Sequence, residues 1–181
     1  MFLPLPLPQY TLLHVVLSLV GIIAGLVVTG GLIAGRRLDG WSLTFLVTTV
    51  LTNAGGYLFP FVRLLPSHIV GGLSLLLLLL VAIARYGKKL EGGWNRVFVL
   101  GTVAALYFNV FVLVTQLFAK FPLLIVLAPT QQSPVFGATQ LVVLALFVVL
   151  GRSAVRGAPT AGQADASAGA IPFDAAVRRS A

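Results

Sequence analysis

Two histidines, His14 and His68, are the only imidazoles in a chain that has no cysteine. Each lies just inside a long apolar run, so both fall a few residues below the same membrane surface on different helices. A pair of imidazoles from two helices is what a b-type haem needs, and His14 and His68 are the expected iron ligands if one is bound. Arg63 and Lys120 lie near that surface and suit the propionates, while Gly72 leaves room beside a macrocycle. The same groups also suit an anionic or quinone-like ligand, with Asn53, Tyr57, Asn109, Gln116 and Gln140 supplying hydrogen bonds.

Other chemistry is removed by what the chain lacks. Without cysteine there is no disulfide, thiol nucleophile, iron–sulfur cluster or Cys-ligated zinc. The acids Asp39, Glu91, Asp165 and Asp174 all lie in loops or in the tail. Paired-carboxylate catalysis, carboxylate-bound metals and acidic proton relays within a membrane therefore lack their key groups. Ser18, Ser67 and Ser133 have no acid to orient a histidine and no nucleophile elbow, so no catalytic residue is assigned and the reading leans away from an enzyme.

These residues are carried by five apolar runs, 10–34, 42–62, 67–85, 97–119 and 134–151, each near the roughly 20 residues that cross a bilayer. The chain is 59% hydrophobic and only 9% charged, far from the average soluble usage of about 25% charged, so lipid is its expected solvent. The fold class is an all-α polytopic transmembrane bundle of five spans over residues 10–152. Residues 120–133 contain an apolar stretch too short to span, bracketed by Pro122 and Pro129, which reads as interfacial or re-entrant. Residues 1–9 form a Pro-rich extracytoplasmic leader with no basic region or cleavage site. The Ala/Gly-rich residues 153–181 read as a disordered tail.

The net charge of +8 marks topology, not nucleic acid, because the cations cluster between the runs. Arg36, Arg37, Arg85, Lys88, Lys89, Arg96, Arg152 and Arg156 fall on one side, against Arg63 and Lys120 on the other. Cytoplasmic loops retain Lys and Arg, which puts the N-terminus outside and the C-terminus in the cytoplasm.

That orientation gives the polar residues a depth. His14, Ser18, Gly21, Gly25 and Thr29 share one face of the first span, Thr49, Asn53 and Tyr57 recur every fourth residue in the second, and Thr102, Asn109, Gln116 and Lys120 stripe the fourth. Gly21 and Gly25 also suit close helix packing. Most of these polar groups fall in the outer half and predict a polar pocket open to the extracytoplasmic side.

The phrases "RRLDGW", "LFPF", "LLPSHIVG", "YFNVFVLVTQLF" and "LAPTQQSP" together resemble a family of small multi-pass bacterial inner-membrane proteins without an assigned function. The resemblance covers residues 10–152, implies a bacterial inner-membrane location and brings no site residues with it. The expected function is a small-ligand-binding or accessory component of a membrane complex. A haem-binding electron-transfer protein and a small-solute transporter or channel subunit are the alternatives. The bilayer, a second copy or a larger membrane complex are the expected partners.

Overall fold

The computed structural model describes residues 6–59 and 66–159. These form α1 (Leu7–Ile33), α2 (Asp39–Gly56), α3 (Pro66–Ala82), α4 (Trp94–Lys120), α5 (Pro122–Leu127) and α6 (Pro134–Gly157). A π-helical turn, Ile83–Gly87, carries α3 onward. Among the described residues, helices starting at Leu7, His68, Trp94 and Pro134 are long and apolar enough to cross a membrane. The 18-residue α2 is not among them, because Ser42, four threonines and Asn53 dilute its apolar content.

Local chemistry sets the helix limits. Pro8 sits in the first turn of α1, where its missing N–H is not needed. At the other end Gly35 takes φ +72°, and the N–H groups of Arg36 and Gly35 donate back to Gly31 and Leu32 at 2.8 and 3.2 Å. Only glycine adopts that left-handed turn cheaply, and the chain reverses there into α2. The second run stops at Gly56, short of the expected residue 62: after the Gly55-Gly56 pair, the N–H groups of Tyr57 and Leu58 turn back on Ala54 and Gly55. The last helix runs beyond the expected residue 151 to Gly157, and Ala158 and Pro159 pack with the bundle. Residues 160–181, assigned above to a disordered tail, and Arg63 lie outside the described residues.

The helices alternate in direction around α4, which packs against α1, α3 and α6, while α2 lies between α1 and α3. Small residues mark the crossings. At Gly25 an added methyl would come within 2.7 Å of Leu106 and 2.9 Å of Phe45, and at Gly157 it would overlap the Ile33 carbonyl of α1. Such close approach is how transmembrane helices gain packing energy without a hydrophobic driving force between them. The outward surface is apolar, with Leu12, Ile23, Leu76, Leu79, Leu141 and Val142 all more than half exposed. Thr49, Ser74 and Thr102 are buried. Hydroxyls inside and leucines outside is the distribution a lipid solvent selects.

One end of the bundle is tied by charge. The Arg37 guanidinium donates to Asn95 Oδ1 at 3.1 Å and to the Pro159 carbonyl at 2.8 Å, and Asn95 Nδ2 donates to that same carbonyl. Arg85 pairs with Asp39 at 2.6 Å and lies over the Phe98 ring. The termini of α1, α2, α3, α4 and α6 thus meet at a single cationic end.

Candidate functional site

The polar residues singled out from the sequence separate into three places. The first is a junction in the middle of the bundle. Asn53 Nδ2 on α2 donates to the Thr49 carbonyl at 2.9 Å and across to Ser74 Oγ of α3 at 3.0 Å. Asn109 Nδ2 on α4 donates to Thr49 Oγ1 of α2 at 3.2 Å. Gly21 of α1 closes the group, since a methyl there would lie 3.1 Å from the hydroxyls of both Thr48 and Thr49. Four helices therefore meet at one cluster, in which Asn53 and Asn109, both named above as ligand candidates, bond to neighbouring helices.

The second place is the carboxyl end of α2, opposite the cationic end. Tyr10 donates its hydroxyl to the Gly55 carbonyl at 2.8 Å, and Phe59 makes edge contacts with Tyr10 and His14 at 5.0 and 5.2 Å between ring centres. On the other flank the Tyr57 hydroxyl donates to the His68 carbonyl, and the two rings lie 5.6 Å apart. His14 and His68 thus pack on opposite sides of the end of α2. The room beside Gly72 is also taken, because the Tyr57 hydroxyl lies 3.1 Å from where a side chain would begin.

The third place lies where α4 ends. Gln140 on α6 is buried and donates through Nε2 to the Phe111 carbonyl at 3.1 Å and to Thr115 Oγ1 at 3.4 Å. Its Oε1 is buried without a partner among the described residues. Thr115 also lines a partly open cavity of about 270 Å³ whose other walls include Phe118, Ile125, Ala128, Thr130, Gln131 and Phe136. The wall opposite α4 is α5 and the loop after it, held by Pro122 at the start and by the Thr130–Ser133 turn before α6. Phe118 and Phe136 meet edge to face at 5.5 Å and close the inner side. The cavity can enclose a small apolar body and offers hydroxyl and amide groups to one polar end of it.

Gln116 and Lys120 are exposed and join none of these places. The stripe at steps of seven misleads because packing around α4 thins along its length: its buried residues end at Leu106, and Gln116 lies more than two turns beyond. Lys120 is the last residue of α4, beyond the packed bundle. The sequence reading missed Ser74 and Thr115. Ser74 carried a signal, as the only hydroxyl in the leucine-rich run 73–80, whereas Thr115 was hidden beside Gln116.

Among the described residues no group of three His, Cys, Asp or Glu side chains comes together as a metal site. Searches with the whole chain against family models, curated proteins and solved structures each give no match.

Proposed function

We propose that the protein is a five-span bacterial inner-membrane protein, N-terminus outward, that binds a small amphipathic molecule from the extracytoplasmic side. The cavity behind α5 carries this reading, because its apolar walls, Phe118, Ile125 and Phe136, face the polar groups of Thr115, Thr130 and Gln131. Its volume of about 270 Å³ falls just below the roughly 300–1,000 Å³ typical of ligand sites, which limits the ligand to a small one. A polar end of the ligand would bond to the Thr115 and Thr130 hydroxyls or the Gln131 amide, while its apolar body lies against the two phenylalanines. Binding is favoured over catalysis because the one acid in the spans, Asp39, lies at the cationic end of α2, paired with Arg85 and far from the cavity.

Orientation is supported by the cationic end, which faces the cytoplasm if the positive loops are retained there. The fifth span is α2. It passes from Asp39 beside Arg85 at that end to Gly55 beside Tyr10 at the other, roughly 24 Å at 1.5 Å per residue. The bacterial location rests on the sequence resemblance. A transport route is less favoured, because Phe45 and Leu106 fill the space beside Gly25 and both are almost wholly buried.

The test is mass spectrometry of small molecules retained by protein purified in mild detergent, for the wild type and for Ala119→Phe, which fills the cavity. Retention of one compound by the wild type and its loss from the variant is the expected result. An empty wild type that carries a stoichiometric protein partner would replace this reading with the accessory role.

A further inference from the structure

On the lipid-facing side of the bundle, α4 and α6 splay apart and leave a groove of about 620 Å³. Its body is apolar, lined by Leu100, Tyr107, Phe147 and Val148, and its floor is Gly151, whose missing side chain keeps the seam open. Arg96, Arg152 and Arg156 stand together at one end of it. Arg152 and Arg156 are one turn apart on α6, and Arg96 comes from the first turn of α4, so three guanidiniums converge on the mouth of one apolar channel. All three are exposed. Among the described residues no acid neutralises them, and the ion pair of this end belongs to Arg85 and Asp39.

The groove runs from Arg96 to Tyr107, roughly 16 Å of helix at 1.5 Å per residue. Half the hydrocarbon thickness of a bilayer is about 15 Å. The groove therefore spans the depth of one leaflet, with its charge at the headgroup level and its apolar length along the acyl chains.

We propose that this groove is a binding site for an anionic glycerophospholipid, the phosphate resting on Arg96, Arg152 and Arg156 and one acyl chain lying against Gly151 and Phe147. Guanidinium forks match a phosphate through two parallel hydrogen bonds, and basic pockets between transmembrane helices take acidic lipid headgroups. The site is separate from the cavity behind α5, at the opposite end of the bundle, and does not depend on it.

The experiment is native mass spectrometry of the full chain released from nanodiscs of phosphatidylcholine doped with phosphatidylglycerol. The wild type is expected to retain phosphatidylglycerol over phosphatidylcholine, with the preference falling about fivefold for each arginine changed to glutamine. The variant Arg96→Gln, Arg152→Gln, Arg156→Gln should lose the preference. The control Arg36→Gln, Lys88→Gln, Lys89→Gln, at the same end but outside the groove, should keep it. Gly151→Leu should displace lipid of either headgroup by filling the floor, without altering the arginines. A wild type with no headgroup preference, a preference that survives the first triple variant, or an equal loss in the control overturns the proposal. So does a dimer in which a second copy covers the groove and excludes lipid.

Discussion

Asn53 and Asn109 show what a polar residue does inside this bundle. Each amide reaches a neighbouring helix, and their shared partner Thr49 is fully buried. Interhelical bonds of this type are worth about 0.6–2 kcal/mol, so Asn109→Leu should destabilise the protein by that amount in a reversible unfolding assay. Asn53→Leu should cost at least as much, because it severs α2 from Ser74 of α3. If both variants unfold like the wild type, the junction is not holding the helices. At Gly157 the expected effect is steric. A methyl there meets backbone of α1, which cannot rotate aside, so Gly157→Ala should cost about 1–3 kcal/mol. Gly30→Ala has open space around it and should be neutral or stabilising by up to about 1 kcal/mol. The polar residue types were legible in the sequence, but their roles were not. Whether an amide faces a ligand, another helix or lipid depends on how far each neighbour packs along the helix, and α4 loses its close packing after Leu106, well before Gln116.

At the scale of elements, the long apolar runs were readable because burial in lipid demands length and composition above all. Where sequence and structure differ, the ends of elements decide. The Gly55-Gly56 pair halts α2, and Arg37 and Asn95 draw Pro159 into the bundle, a contact across more than half the chain that no local pattern announces. The short segment after Pro122 was expected to be interfacial, and α5 has the surface for it, with Leu123 and Val126 79% and 80% exposed. Such a six-residue helix cannot hold itself in water and needs lipid against those side chains. Leu123→Asp with Val126→Asp should lift α5 from the interface, open the cavity and abolish retention of the small molecule proposed for it, while the long helices keep their stability. Unchanged hydrogen exchange in 121–128 would show that α5 is held by the protein alone.

For the whole molecule the decisive feature is polarity along the bundle axis. The cations gather at one end, where Arg37 and Arg85 also lock helix termini together. The other end holds both histidines, the aromatic cluster around Phe59 and the cavity behind α5. On the reading proposed above, the cationic face meets a charged membrane surface and the other face takes the small molecule. Which compartment each face meets is set by topology, and the absence of cysteine makes that directly measurable, since any thiol introduced is unique. Glu91→Cys and Gly40→Cys lie at the cationic end, and Leu58→Cys and Gln132→Cys at the other, all at exposed positions. In intact cells a membrane-impermeant maleimide should label Leu58→Cys and Gln132→Cys, and should reach Glu91→Cys and Gly40→Cys only after permeabilisation. The pair that flanks α2 is the sharper one. If Gly40→Cys and Leu58→Cys label from the same side, α2 does not cross, the chain has four spans, and the two ends of the bundle do not face opposite compartments.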